Sequence, residues 1–73
     1  MPDFKYEITE KIVVLSERSK GWTKELNKVS WNDRDPKYDI REWNHSEGKM
    51  GKGITLSDDE ATELKNALNN MDL

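Results

Sequence analysis

The sequence predicts an α+β domain: four strands within about residues 4–56, followed by one helix over about residues 57–70. Three observations lead there. Side chains alternate with period two from Trp22 to Trp31 and from Lys37 to Trp43, as half-buried strands require. Residues 16–21, 32–36 and 44–48 are polar clusters rich in glycine, asparagine, aspartate and proline, which favour chain reversals. Ser57-Asp58-Asp59-Glu60 then opens a helix with a capping box, and its acids complement the helix dipole.

Taken in order, the first apolar cluster, residues 4–15, is one long strand or two short ones. Its Ile12-Val13-Val14-Leu15 run suits a strand covered on both faces. In the second strand Trp22, Lys24, Leu26, Lys28 and Ser30 share one face, while Thr23, Glu25, Asn27, Val29 and Trp31 share the other. In the third, Lys37, Asp39, Arg41 and Trp43 oppose Tyr38, Ile40 and Glu42. Ile40 is the aliphatic residue of that strand, so it should face the core and send Arg41 and Trp43 outward. A hairpin pairing Trp31 with Tyr38 would set Val29 beside Ile40 and Lys28 beside Arg41; a one-residue slip would exchange the faces. The fourth strand, residues 49–56, carries Gly51 and Gly53 around Lys52, which suits close approach of a backbone or ligand, or equally a twisted edge. The helix presents Ala61, Leu64, Leu68 and Met71, with Ala67 alongside, as a narrow apolar stripe.

Seventy-three residues make one domain, here 1–73. A chain this short buries only roughly 60% of its unfolded surface, so a lone core is marginal and a staple is expected. Cysteine is absent and His45 is the one histidine, which removes disulfides and an ordinary zinc site and leaves self-association. No apolar run approaches the ~20 residues that span a bilayer. The N-terminus lacks an apolar signal core, so a cytoplasmic protein without membrane contact is expected, in a bacterium or another organism that keeps it inside cells.

The formal charge is −3, yet it is unevenly placed. Residues 1–56 hold 11 Lys/Arg and 10 Asp/Glu, a net of +1; residues 57–73 set Lys65 against five acids, a net of −4. Local potential, rather than the total, steers a polyanion.

Catalysis finds little support. No thiol exists, His45 lies in a polar turn as a solvated histidine would, and GKMGKG lacks the spacing and hydroxyl of a phosphate-binding loop. Asp33, Asp35 and Asp39 read as turn formers and strand polar residues rather than ligands for a hard cation. Neither an enzyme, a cofactor nor a small-molecule substrate is expected. Binding is better supported. Trp22, Trp31 and Trp43 are hard to absorb in so small a core. Trp31 is assigned to the core, while Trp22 and Trp43, beside lysine and arginine, are stacking candidates for exposed bases. Lys24 and Lys28 join them by period two.

The segments YDIREW, EGKM, GKGITLS and SDDEATELK resemble the positive cofactor four family of transcriptional coactivators. The likeness is closest from Tyr38 onward, and the N-terminal half is similar to short bacterial members with a longer first hairpin. The resemblance implies a four-stranded, strongly curved antiparallel sheet with a C-terminal helix on its convex side. It implies dimers whose paired concave faces bind single-stranded DNA largely without sequence preference. It marks Arg41, Trp43 and Lys52 as contacts, with Lys49 standing in for a family basic residue in a shorter loop. Where the eukaryotic pattern has two adjacent aromatics after DIRE, this chain has Trp43 alone. The expected function is therefore sequence-tolerant single-stranded DNA binding by a homodimer in transcription, replication or repair. Two rivals stand beside it: RNA as the ligand, and a protein-interaction module docking through the acidic helix.

Overall fold

The computed structural model describes residues 5–73; Phe4, where the first strand was expected to begin, lies outside the described residues. Four strands, β1 (Tyr6–Glu17), β2 (Thr23–Trp31), β3 (Lys37–Asn44) and β4 (Lys49–Leu56), precede helix α1 (Asp58–Asn69). They form one antiparallel sheet in the order β1-β2-β3-β4, a meander with β1 and β4 at its edges. A 3-10 turn over Ser19–Gly21 joins β1 to β2, with Lys20 and Gly21 at positive φ.

Curvature is built into β1. Its twelve residues face the nine of β2, and register shifts fall between Ile8 and Glu10, Lys11 and Val13, and Val14 and Ser16. Each shift adds one residue to β1, and such bulges bend and twist a strand. The bend is large. Tyr6 pairs with Trp31 at one end of β2, and Trp43 pairs with Thr23 at the other. On a flat sheet those ends would be about 26 Å apart at a rise of ~3.3 Å per residue. The Tyr6 and Trp43 ring centroids are nonetheless 5.4 Å apart. The strands curl until side chains from their two ends meet across the hollow.

This hollow is where the chain buries its side chains. Val29 and Trp43 are the buried hydrophobic residues among those described, joined there by Glu25, Asn27 and Asp39; Asn44, also buried, lies at the end of the sheet, where its Nδ2 donates to the Lys20 carbonyl at 2.9 Å. Trp43, expected to point outward, is 1% exposed. It does lie opposite the helix, as does Arg41, but that side is the packed one. Trp31, assigned to the core, is only half-buried. The 12–15 run is also uncovered: Ile12, Val13, Val14 and Leu15 are all exposed on edge strand β1.

The β2–β3 register departs from the expected one by three residues. Val29 pairs with Lys37 rather than Ile40, Lys28 with Tyr38, Leu26 with Ile40 and Glu25 with Arg41. Asn32 and Asp33 adopt positive φ, and the Arg34 amide donates to the Trp31 carbonyl at 3.0 Å, a tight two-residue reversal. Arg34, Asp35 and Pro36 are then left over before β3 begins. An odd shift exchanges faces, so Lys24 and Lys28 stand on the helix side rather than beside Arg41.

Helix α1 begins as its sequence dictates. Ser57 Oγ accepts from the Glu60 amide at 3.1 Å, and the Ser57 amide donates to Glu60 Oε1 at 2.8 Å. The helix buries no residue of its own. Ala61, Leu64 and Leu68 face Ile12, Leu26, Tyr38, Ile40 and Leu56 across a groove of about 650 Å³.

Candidate nucleic-acid interface

Three groups hold the concave side together. At one end Glu25 accepts from Thr23 Oγ1 at 2.5 Å and Asn27 Nδ2 at 3.0 Å, and pairs with His45 Nε2 at 3.0 Å. Burial alone would raise the Glu25 pKa. The hydrogen bonds from Asn27, Thr23 and His45, with the histidine's charge, outweigh it and hold the carboxyl below its ordinary 4.5. His45 is an exposed turn residue, as expected, and its ring also stacks on Trp43 at 5.6 Å and 7°.

The second group is centred on Arg41. Its Nε and Nη2 donate to Asp39 Oδ1 and Oδ2 at 3.0 and 3.1 Å, and its Nη1 donates to the Gly51 carbonyl at 3.1 Å. Asp39 is fully buried and also accepts from Thr55 Oγ1 at 2.9 Å. A guanidinium has five N–H donors. Three are used here, leaving one on each terminal nitrogen.

The third group is aromatic. The Arg41 guanidinium carbon lies 4.9 Å from the centre of the Trp31 ring, in cation–π range. Tyr6 stands 6.0 Å from Trp31 and is 41% exposed. By register, Lys11 beside Asn27 and Lys37 beside Val29 share this face.

Gly53 makes the Arg41 placement feasible. It pairs with Arg41, and a Cβ there would meet the Ile40 carbonyl oxygen at 2.4 Å and the Arg41 Cβ at 2.6 Å. The β4 edge is therefore thin, and on its helix side Lys24, Glu42, Lys52, Ile40 and Ile54 line an open groove that Arg41 and Gly53 also border. The Trp22 ring comes within 3.4 Å of a Cβ built on Gly51, so it stands at the same edge.

The residues singled out in the sequence thus separate. Trp22, Lys24 and Lys52 gather at the β4 edge, with Arg41 bordering it from the concave side. Lys28 lies over the Tyr38 ring at 5.0 Å in the groove under the helix. Lys49 pairs with Glu47 at 3.4 Å, and Trp43 is buried. Tyr6 and Trp31 were missed as surface aromatics. The signal for Asp39 was present, since it shares Arg41's face by period two. Among the described residues, no cluster of three or more His, Asp and Glu side chains is placed to hold a metal, and no helix is long and apolar enough to cross a membrane.

Fold and site define a class: a small binding module in which a bent meander carries cations and aromatic rings and a lone helix closes the chain. The chain belongs to the transcriptional coactivator p15 (PC4) family, whose model matches residues 18–67. That family is a non-enzymatic one of DNA binding and coactivation, which supports a DNA-binding role here. An uncharacterized protein of Treponema pallidum (strain Nichols) is 48% identical over 71 residues, which cover 97% of this chain and 84% of the relative.

Proposed function

We propose that two copies of this chain form a dimer that binds single-stranded DNA with little regard for sequence. The observation that carries the reading is the Arg41 guanidinium lying on the Trp31 ring beside the exposed Tyr6. It places positive charge and stacking surface together on one face. A base stacked on the exposed Tyr6 ring contributes ~1–3 kcal/mol and is discriminated little from other bases. Phosphates take the two remaining Arg41 N–H groups, with Lys11 and Lys37 alongside. A strand leaving over the glycine-thinned β4 edge meets Lys52, Lys24 and Trp22. Lys28 and Lys49 are peripheral to this path, and Trp43 supports it from within.

The dimer follows from what one copy leaves bare. Leu64, Leu68, Ile12 and Ile54 are each at least 40% exposed, and a helix without a buried residue is poorly held by the sheet. A second copy with the same apolar stripe is the self-complementary cover that a two-fold axis supplies. The proposed setting is the cytoplasm.

The test is fluorescence anisotropy with labelled oligo-dT, its RNA counterpart and duplex DNA, for the wild type, Arg41→Gln and Lys52→Gln. Each variant should weaken oligo-dT binding, Arg41→Gln the more. Each should also reduce the slope of log affinity against log salt, by ~0.7 for every phosphate no longer neutralised. Tighter binding of the RNA would make RNA the ligand. No binding of any strand would leave the acidic helix as a protein-docking element.

A further inference from the structure

We infer that Asp39 is a positioning residue for nucleic-acid binding: a buried carboxylate that holds the Arg41 guanidinium at the angle where its free N–H groups meet phosphate. The inference rests on the single-stranded DNA reading above. A negative charge on a DNA-binding face ordinarily weakens binding, so its presence beneath the central arginine calls for an explanation.

Geometry supplies it. Asp39 grips Arg41 through both oxygens, at 3.0 and 3.1 Å, a fork that fixes the guanidinium plane as well as its position. Thr55 Oγ1, at 2.9 Å from across the β3–β4 ladder, fixes the carboxylate in turn. The Gly51 carbonyl holds the third nitrogen at 3.1 Å, and the Trp31 ring lies beneath at 4.9 Å. Asp39 is fully buried whereas the Arg41 side chain is 17% exposed. The acid is therefore screened from an approaching strand while the base reaches it. A long side chain restrained in this way loses little rotamer freedom on binding, and preorganisation of that kind strengthens association without any added interaction.

The alternative is simple electrostatics, and the two predict opposite signs. Asp39→Asn removes one negative charge while keeping the side chain's size and one acceptor. Simple electrostatics predicts tighter binding to oligo-dT. Positioning predicts weaker binding, about three- to tenfold, with the shallower salt slope expected when one fewer phosphate is neutralised. The effect must also run through Arg41: in an Arg41→Gln background, Asp39→Asn should change affinity less than twofold. Thr55→Val is the gentler companion, since it leaves both charges in place; it should weaken binding in the same direction by about twofold. Circular dichroism melts and sedimentation confirm that each variant is folded and has the wild-type assembly state. Tighter or unchanged binding by folded Asp39→Asn, or equal weakening with and without Arg41, overturns the inference. If Asp39→Asn does not fold, Thr55→Val decides, and unchanged affinity there overturns it. Failure of wild-type protein to bind any single strand would sink the functional reading itself, a separate outcome.

Discussion

The two faces of this sheet handle burial in opposite ways. On the concave side, a tryptophan, a valine and three polar residues are almost wholly buried, and the Glu25, Asp39 and Asn27 side chains meet hydrogen-bond partners. On the helix side, Leu64, Leu68, Ile54, Ile12 and Val13 remain exposed, so the more apolar surface is the less buried one. The difference teaches that curvature can do the work of a second layer. Strands bent until side chains from their ends touch enclose their own hollow, and the side chains there need no partner element. Even so, the Trp43 indole N–H has no hydrogen-bond partner among the described residues, an unmet donor that costs free energy. The helix-side face has no such closure within the single chain, and it is the surface that the proposed second copy would cover.

The comparison is broken most forcibly from the concave side. Trp43→Ala removes the largest buried side chain and should cost about 3–5 kcal/mol, within the range of large-to-small core substitutions. Urea unfolding at constant protein concentration measures it. A loss under about 1 kcal/mol would show that the hollow is not the core.

A second experiment loads the other face. Leu64→Ala with Leu68→Ala should weaken dimerisation by roughly 2–4 kcal/mol over both copies, on the transfer value of exposed leucine surface. Analytical ultracentrifugation across a dilution series would read this as at least a tenfold rise in the dimer dissociation constant. An unchanged constant would mean that the groove beneath α1 is covered by something other than a second copy.

The smallest effect sharpens the comparison through pH. The Glu25 carboxyl is held below its ordinary 4.5 in the folded chain, so the unfolded chain binds a proton first as acidity rises. Its stabilising contribution is complete above about pH 4.5 and is lost as pH falls through the folded value. Melting temperature should decline over that acidic range, and Glu25→Gln should flatten the decline while lowering the plateau above it. An identical slope in wild type and variant would assign the acid sensitivity to other carboxylates.

Local signals were read most securely. The capping box at Ser57, the period-two alternation of β2 and β3 and the turn chemistry at residues 32–36 each depend on neighbours a few positions apart. The DIRE segment carried Arg41 for the same reason. Lys24, Lys52 and Trp22 also fall together at one edge, although by a different pairing from the one expected. The register failed because Asn32 and Asp33 close the reversal in two residues, and sequence alone does not say how many of the remaining turn residues a hairpin will use. Trp43 was misplaced because alternation distinguishes two faces without saying which is enclosed.

By itself the sequence determined the elements: where strands alternate, where the chain reverses, where the helix starts and which side chains share a face. These follow from backbone sterics and hydrogen bonds between near neighbours. Only the tertiary structure decided that the cationic and aromatic face is also the packed one, since that depends on three bulges in β1 acting together over about 26 Å of strand. Bending brings the Trp43 ring against Tyr6 although their sheet positions are distant, and no local pattern records a sum over distance.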